Sequence, residues 1–471
     1  MYRLLLAFGF CLAATLAETN DLVDQYRPAA DRLIDAALAD TAGYAKLTYL
    51  CDRIGNRLSG SVSLDKAVAW SVEQMKRDGL VNVKTIPVKV PHWIRGRESA
   101  KIIAPFERPL RMLGLGMSVG TPAEGITADV VVVSDFEQLA QLGRERVQGK
   151  IVLFNAAYQG YGPTVVNRTS GASRAAALGG VAVLVRSITP LAVQLPHTGA
   201  LTYQEGVPRI PAAAITIEDA LLIERLSRQP GSPVKVHLEM AAHEVPDADS
   251  ADVIGEIPGR ELPDEVVVLG GHLDSWDVGQ GAQDDGSGIM ASLEAVALIK
   301  KLGFQPRRTI RVVFWVNEEN GGKGGEAYRR WVGDRLSNQV AAIEMDGGAE
   351  RPVGFGFGGF GGGPRRGDTS PPASPDGDSL AMLKQIGKLL ERIGAGEITA
   401  GGGGSDIGPL TREGVPGLSP RTVGSHYFDW HHTEADTLDK VDLEDFRKNI
   451  AGLAVMSYAL ADMPGRLAGG K

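Results

Sequence analysis

Five segments in the second half of the sequence carry acidic residues or histidines whose types and spacing could do chemistry. They are residues 270–275, 284–288, 317–319, 344–347 and 431–437. Each segment alone is weak support for a site, because acidic side chains at strand ends are usually solvated. A catalytic divalent metal, however, needs oxygen and nitrogen ligands that converge from several elements. Together the five segments predict a metal centre.

The elements around these segments alternate between strand and helix. The pattern predicts strands at 265–269, 309–316 and 340–345, with helices at 287–302 and 325–332. Such alternation is typical of an α/β fold in which a mostly parallel central sheet is flanked by helices. Because parallel strands end at one edge of the sheet, the acidic segments that follow them should meet there.

Several of these stretches also resemble a known family. They are 57–61 (Arg-Leu-Ser-Gly-Ser), 271–277 (Gly-His-Leu-Asp-Ser-Trp-Asp), 284–288 (Asp-Asp-Gly-Ser-Gly), 318–319, Asp346 and 432–433. In type and spacing they resemble the co-catalytic zinc aminopeptidases, and among these the carboxypeptidase Q-like (plasma glutamate carboxypeptidase-like) dipeptidases. The resemblance extends over essentially the whole chain after residue 17.

The resemblance implies two metal ions held by five side chains. His272 and Asp346 would bind one metal, Glu319 and His432 would bind the other, and Asp284 would bridge both. Three carboxylates against two dications leave one positive charge, which should lower the pKa of a bound water toward about 7. Carboxylate and imidazole ligands suit zinc, although Mn²⁺ or Co²⁺ could occupy the same site.

Two further carboxylates receive catalytic roles from the same resemblance. Glu318 would be the general base toward the bridging water, and Asp274 would steady His272. Neighbouring side chains at the end of an extended strand point to opposite sides, so Glu319 can ligate while Glu318 faces the substrate. The alternatives that the two glutamates swap roles or merely cap a helix remain open. The family also implies a cis peptide bond between Asp284 and its neighbour Asp285.

The histidine of the second metal is less certain from the sequence. His431 directly precedes His432, and His426 lies close by, so either could be the ligand; the His-Thr pair favours His432. Arg421 and Tyr427, just upstream, are candidates for contact with the substrate.

The predicted function is that of a di-zinc metallo-exopeptidase acting on dipeptides or on the terminal residue of short peptides. One alternative is an acyltransferase of the glutaminyl cyclase type on the same fold, and another is a non-catalytic receptor-like homologue. A catalytic serine is disfavoured, because no Gly-x-Ser-x-Gly elbow lies near a paired histidine. The family resemblance also suggests a homodimer.

The sequence divides into four predicted parts. Residues 1–17 form a signal peptide, 18–109 and 246–471 form the catalytic domain, and 110–245 form a small β-rich insert. The insert, with short β-branched runs around one Ala-rich helix, resembles a protease-associated (PA) domain. Residues 347–378, rich in Gly, Pro and Arg, show no periodicity and are predicted to be a mobile loop or a partly disordered insert.

Composition and the N-terminus bear on partners and location. With 49 Lys and Arg against 57 Asp and Glu, the formal net charge of -8 argues against nucleic acid as a partner. The apolar stretch 4–16 is shorter than the roughly 20 residues of a membrane span and ends in small residues, as signal peptides do. We expect a secreted or periplasmic protein that leaves the membrane once the signal is removed; an anchoring helix is the alternative.

Overall fold

The computed structural model describes residues 5–231, 233–358 and 377–468, with side chains described from residue 22 onward. Within these ranges the chain forms two eight-stranded sheets and twelve α-helices. The strands are β1 (Val81–Ile94), β2 (Glu98–Ala104), β3 (Arg108–Leu110), β4 (Met112–Gly114), β5 (Ile126–Val133), β6 (Ile151–Phe154), β7 (Ala182–Arg186), β8 (Ala212–Ile215), β9 (Lys235–Met240), β10 (His243–Ile257), β11 (Leu262–His272), β12 (Arg308–Trp315), β13 (Gln339–Glu344), β14 (Pro352–Phe357), β15 (Glu397–Ala400) and β16 (Gly417–Thr422). The helices are α1 (Leu5–Leu38), α2 (Ala42–Tyr49), α3 (Val62–Arg77), α4 (Phe136–Val147), α5 (Tyr161–Ala177), α6 (Ile217–Ser227), α7 (Ser287–Lys301), α8 (Lys323–Val332), α9 (Gly377–Lys388), α10 (Gly408–Thr411), α11 (Tyr427–Trp430) and α12 (Leu443–Asp462).

The first sheet has the strand order β1-β10-β12-β11-β13-β16-β14-β15. Its four middle strands, β12, β11, β13 and β16, are parallel, whereas the pairs β1/β10, β10/β12 and β14/β16 are antiparallel. Every residue of β12 and β13 is buried, as expected of parallel strands covered on both faces. The predicted α/β fold is confirmed, and β11, β12 and β13 end at one edge of the sheet.

Helices α7 and α12 pack against the parallel strands and against each other, and α1 packs on α12. The apolar face of α7 is fully buried through Ile289, Leu293 and Val296, which join the largest hydrophobic core of the described chain. Because α7 begins directly after residues 284–286, its burial anchors that segment at the edge of the sheet.

The second sheet has the order β3-β2-β9-β5-β6-β7-β8-β4, with β5 to β8 parallel. Its strands run from Glu98 to Met240, so β2 lies before residue 110, where the sequence placed the start of the insert. The second sheet therefore begins before that predicted boundary. The short β2 pairs with β9, more than a hundred residues along the chain, and such a distant partner leaves no local signal.

Part of the segment predicted to be a mobile loop is a strand of the first sheet, which corrects that prediction. Strand β14 pairs with β15, and a Cβ at Gly354 would lie 1.7 Å from the carbonyl oxygen of Glu397. At Gly356 a Cβ would lie 1.9 Å from that of Gly401. The glycines therefore permit close strand pairing rather than mobility. Residues 359–376 of the segment lie outside the described residues.

The signal-peptide prediction concerns residues whose side chains are not described. Residues 1–4 are not described, and residues 5–17 belong to α1 without described side chains. Among the residues that are described, no helix combines the length and apolar character needed to cross a membrane.

A buried ion-pair network joins α2, α3 and α7, and it provides a test of stability. Lys46 Nζ lies 2.6 Å from both Asp78 and Glu294, and all three side chains are largely buried. Lys46→Met should lower the free energy of unfolding by about 3 kcal/mol, because two buried carboxylates lose their counter-charge. Urea unfolding would measure the loss. Lys76→Met, which removes an exposed pair, should change stability by less than about 1 kcal/mol, and equal effects would contradict the expectation.

Candidate metal centre

The structure brings the five predicted ligands together at the carboxyl edge of the first sheet. Asp284 lies in the middle: its Oδ1 is 3.1 Å from Nε2 of His272, and its Oδ2 is 3.2 Å from Nε2 of His432. Asp346 Oδ1 lies 3.6 Å from His272 Nε2, and Glu319 Oε2 lies 3.1 Å from His432 Nε2. The ligands thus form two groups, each with one histidine and one carboxylate, that share Asp284.

The donor set fits divalent metal ions. Among the described residues, Oδ2 of Asp284 and Oε1 of Glu319 are buried oxygens without a hydrogen-bond partner. Burial, followed by the charge of Asp284, raises the pKa of Glu319 to about 8. Buried carboxylates of this kind are stabilised when they coordinate a cation. Imidazole nitrogens directed at the same points complete a donor set suited to zinc.

The neighbouring histidines occupy different positions. His431 Nε2 lies 3.5 Å from Asp284 Oδ2, and its ring stacks on His432 with 3.5 Å between centroids. Only His432 also approaches Glu319, so the geometry favours it as the ligand shared with that carboxylate. His426 is exposed and its Nδ1 lies 2.7 Å from Asp429, away from the five ligands.

Asp274 contacts both His272 and the two glutamates. Nδ1 of His272 lies 2.9 Å from the main-chain carbonyl oxygen of Asp274, but 3.9 Å from its carboxylate. The carboxylate instead accepts hydrogen bonds from the main-chain N–H groups of Glu318 (3.1 Å) and Glu319 (3.3 Å). Asp274 therefore orients the histidine through its backbone and holds the two glutamates through its side chain. That Asp274 steadies His272 stays a prediction, with the main-chain oxygen at 2.9 Å and the carboxylate at 3.9 Å from His272 Nδ1.

This double contact predicts a large effect at Asp274. Asp274→Ala should lower both metal affinity and kcat by about 10- to 100-fold, because the backbone that positions Glu318 and Glu319 loses its acceptor. Metal titration and steady-state kinetics on a dipeptide would measure the two losses. Asp264→Ala, an exposed site on the same strand β11, should leave both unchanged. Wild-type metal affinity in the Asp274 variant would contradict the role.

Glu318 and Glu319 differ in exposure as the strand-end argument expects. Glu319 is buried among the ligands, whereas Glu318 is partly exposed. Burial raises the pKa of Glu318, and the charge of Asp346 adds to the rise. Behind it lies Glu344, whose pKa burial and then Asp346 raise to about 8.

Arg57 and Asp436 support the centre in ways that sequence reasoning missed. Arg57, fully buried, donates to the carbonyl oxygens of Leu273 (2.7 Å), Gln280 (2.7 Å) and Gly281 (3.1 Å). The Asp436 carboxylate accepts hydrogen bonds from the main-chain N–H groups of residues 282, 283 and 284. Arg57 lies in the stretch 57–61 and Asp436 in the segment 431–437. Their backbone partners are far away in sequence, so no local signal revealed these roles.

The Asp284–Asp285 peptide bond is cis, as the family resemblance implied. The Asp285 carboxylate accepts a hydrogen bond from the N–H of His272 (3.1 Å). A Cβ at Gly271 would lie 1.9 Å from Asp285 Oδ2, and one at Gly288 would lie 2.1 Å from Oδ1. The two glycines of the motifs therefore make room for this carboxylate.

The two proposed substrate contacts separate. Arg421 lies on β16 and donates to Glu397 (3.1 Å) and Thr399 (3.0 Å), so its side chain is occupied by β15, on the far side of β14. Tyr427 lies at the centre, with its ring 5.2 Å from that of His431. The structure thus places Tyr427, and not Arg421, beside the predicted ligands.

Residues from the segment that forms the second sheet also contact the candidate metal centre. The N–H of Thr198 donates to the carbonyl oxygen of His432 (3.0 Å), and Arg168 Nη1 lies 3.5 Å from His432 Nδ1. His197 is buried, and burial, together with the nearby His432 and Arg168, lowers its pKa to about 3. No motif signalled these residues, because they approach the ligands only through the packing of the two sheets.

The parallel sheet with this ligand set at its carboxyl edge defines the zinc exopeptidase class of fold. The sequence pattern of Peptidase family M28 matches residues 252–456. Over 444 residues the chain is 41% identical to Carboxypeptidase Q of Xenopus laevis, covering 94% of this chain and 91% of that one. It is 39% identical to Carboxypeptidase Q of Homo sapiens, covering 95% and 92%. The chain belongs to peptidase family M28 and is a metallopeptidase.

A solved structure agrees with this assignment. The Peptidase M28 precursor from Shewanella amazonensis SB2B superposes with a TM-score of 0.88 at 34% identity, covering 94% of this chain and 98% of that one. BSAP, a zinc aminopeptidase from Bacillus subtilis, superposes with a TM-score of 0.66 at 19% identity, covering 90% and 96%. The second likeness is one of fold alone.

Proposed function

We propose that the protein is a two-metal exopeptidase that hydrolyses the peptide bond of dipeptides or the terminal bond of short peptides. The observation that carries the proposal is the position of Asp284 between two matched groups, His272 with Asp346 and His432 with Glu319. Support also comes from the relatives named Carboxypeptidase Q. Zinc is the proposed metal at both positions.

Each side chain has a defined task in this reaction. Held by His272, Asp284, Glu319, Asp346 and His432, two metal ions would polarise the scissile carbonyl and lower the pKa of a water. Glu318 takes a proton from the attacking water and returns it to the leaving amine, as a general acid–base group does. Asp274 holds the backbone of Glu318, so the carboxylate keeps one position while it exchanges the proton.

The proposal is tested by metal analysis combined with a dipeptide panel. The purified protein should contain two zinc ions per chain and release free amino acids from the unblocked dipeptide Ala-Phe. N-blocked and C-blocked forms of the same dipeptide show which terminus is read. One metal per chain together with cyclised glutaminyl products would instead identify a cyclase and overturn the proposal.

Residues 1–17 are proposed to be a signal peptide that directs the protein out of the cytoplasm. Support comes from the short apolar stretch followed by small residues. N-terminal sequencing of the protein from its native compartment should give a mature chain that starts near residue 18. An intact Met1 in secreted or periplasmic material would contradict the proposal.

The second sheet is proposed to belong to a PA-like insert between two parts of the catalytic domain. Support for the insert is a distinct sheet with its own hydrophobic clusters, whose strands all fall between Glu98 and Met240.

The protein is also proposed to form a homodimer, as the family resemblance suggests. Light scattering coupled to gel filtration should give twice the mass of one chain. A single-chain mass over the micromolar range would contradict the dimer.

A further inference from the structure

The two predicted histidine ligands are supported from different parts of the chain. Nδ1 of His272 lies 2.9 Å from the main-chain oxygen of Asp274, just after β11 of the first sheet. Nδ1 of His432 instead lies 3.4 Å from the main-chain oxygen of Thr198, in the segment that forms the second sheet. A histidine that ligates a metal usually donates its other ring N–H to such an oxygen, which fixes the orientation of the ring. The orientation of His432 therefore depends on a residue of the second sheet's segment.

The backbone of His432 also needs support. Its φ is 60°, in the left-handed region that residues with a side chain adopt only rarely. Such a conformation persists where the surrounding contacts hold it. The N–H of Thr198 donates to the carbonyl oxygen of His432 (3.0 Å), and the Thr198 oxygen also accepts a hydrogen bond from Arg168 (3.3 Å). Thr198 thus contacts both the backbone and the ring of this ligand.

Thr198 is fully buried but lies outside the helices and strands, so its position depends on contacts with neighbouring segments. Its hydroxyl donates to the carbonyl oxygen of Gly114 (2.7 Å), at the end of β4. Nη2 of Arg95 donates to the same hydroxyl (3.4 Å), and Nη1 of Arg95 donates to the same Gly114 oxygen. Arg95 therefore holds Thr198 in place both directly and through Gly114.

An ion pair anchors Arg95 to the first sheet's side of the metal centre. Arg95 lies between β1 and β2, where the chain passes from the first sheet to the second. Its Nε and Nη2 donate to the two carboxylate oxygens of Asp277 (2.8 and 2.6 Å), a bidentate geometry that is strong and directional. Asp277 ends the stretch 271–277, which contains the ligand His272. The ion pair thus connects the chain around one histidine to the support of the other.

An apolar contact accompanies the ion pair. The ring of Trp276 lies 5.5 Å from that of His432, and a Cβ at Gly116 would lie 2.0 Å from Cη2 of Trp276. The N–H of Gly116 donates to the carbonyl oxygen of Gly199 (3.0 Å), which directly follows Thr198. Because packed interiors have little free volume, a displacement of this contact is passed on to His432 rather than absorbed.

We propose that Arg95 and Asp277 are positioning residues for the metal position that His432 and Glu319 form. Their ion pair fixes Thr198, and the main chain of Thr198 orients His432. The inference rests on the proposed two-metal centre, and it makes one of the two positions depend on how the second sheet's segment packs against the first.

The other metal position should be independent of this ion pair. His272 and Asp346 lie at or just after the ends of β11 and β13, and Asp274 supplies the oxygen for the His272 ring. Weakening the contact between Arg95 and Asp277 should therefore lower metal affinity at one position and leave it unchanged at the other. A general loss of stability would weaken both positions alike, so this difference separates positioning from a merely structural role.

The test is zinc titration of the metal-free protein against a competing chelator. Asp277→Asn keeps the shape of the side chain but removes its charge, and it should weaken the Kd of one zinc by about 10- to 100-fold. Arg95→Met should have the same effect, and Arg95→Lys should recover part of the affinity. Asp277→Asn combined with Arg95→Met should add little to either substitution alone, because the two residues act as one unit. Lys89→Met, which removes an exposed ion pair on β1, should behave as wild type.

Proteins with one remaining metal position assign the loss. In Glu319→Gln protein, which should keep only the His272 position, adding Asp277→Asn should leave the Kd for zinc unchanged. In Asp346→Asn protein, which should keep only the His432 position, the same addition should weaken the Kd by about 10- to 100-fold. Equal weakening in both proteins, or in neither, would overturn the proposal.

Activity separates this inference from the proposed function. With zinc in excess, Asp277→Asn should recover most of its activity on Ala-Phe, because the weakened position refills. A loss of kcat that excess zinc does not reverse, together with unchanged zinc affinities, would overturn the inference. A protein that shows the difference between its two zinc affinities but hydrolyses no peptide would reject only the proposed function.

Discussion

Glu318→Gln should lower kcat on Ala-Phe by at least about 100-fold while leaving two metals bound and the free energy of unfolding unchanged. Glutamine keeps the shape of glutamate but cannot accept a proton, so the loss measures general acid–base catalysis directly. The carboxylate is partly exposed and its backbone N–H is held by Asp274 (3.1 Å), so the substitution disturbs little else. Steady-state kinetics would measure the loss of kcat, and mass-spectrometric metal analysis would count the bound metals.

The adjacent residue supplies the matched comparison. Glu319→Gln should lose one metal per chain, because its carboxylate lies 3.1 Å from His432 Nε2 among the ligands. Glu391→Gln, at an exposed position far from the metal centre, should change neither kcat nor metal content. If Glu318→Gln lost a metal and Glu319→Gln kept both, the two glutamates would have swapped roles, and the assignment of the base would be wrong.

Asp284→Ala should have a still larger effect and lower kcat/KM by at least about 1,000-fold, because both metal positions depend on this one carboxylate. Its two oxygens lie 3.1 and 3.2 Å from the histidines of the two groups. Removal of Asp346 or Glu319 would weaken one position, whereas removal of Asp284 weakens both. Metal analysis should therefore show less than one zinc per chain after dialysis.

Chelation provides the parallel measurement on the unaltered protein. EDTA should abolish wild-type activity, and added zinc should restore it and raise the Tm, because a ligand that binds only the folded state stabilises it. Neither restoration nor a rise in Tm should occur with Asp284→Ala. Activity that persists in metal-free wild-type protein, or a variant that retains two metals, would contradict the two-metal centre.

Local patterns were sufficient to predict the strands and helices that carry the ligands. Strands β11, β12 and β13 each contain a short apolar run, and each is followed within a few residues by its acidic segment. Because parallel strands end at one edge, their order along the chain already implied that His272, Glu319 and Asp346 would meet. The fold class and the segments that carry the candidate ligands could therefore be read from residue types and spacing, whereas the individual ligands were implied by the family resemblance.

The contacts of Asp274 and the pairing of strand β14 could not be predicted from local patterns. The family resemblance gave Asp274 a role toward His272, but no local pattern indicated that its carboxylate accepts hydrogen bonds from the N–H groups of 318 and 319. Strand β14 was predicted to lie in a loop or disordered insert because its glycines carry no periodic signal, and their function is close contact with β15. Both features depend on contacts between segments distant in sequence.

The sequence by itself determined which side chains can ligate and which elements deliver them, since hydrophobic periodicity and motif spacing are properties of short stretches. Only the tertiary structure decided that His432 rather than His431 meets Glu319, and that Arg168 reaches the same centre. Those contacts depend on how the two sheets pack and on which hydrogen bonds remain when water is excluded. Such information belongs to the folded chain, because residues hundreds of positions apart create it together.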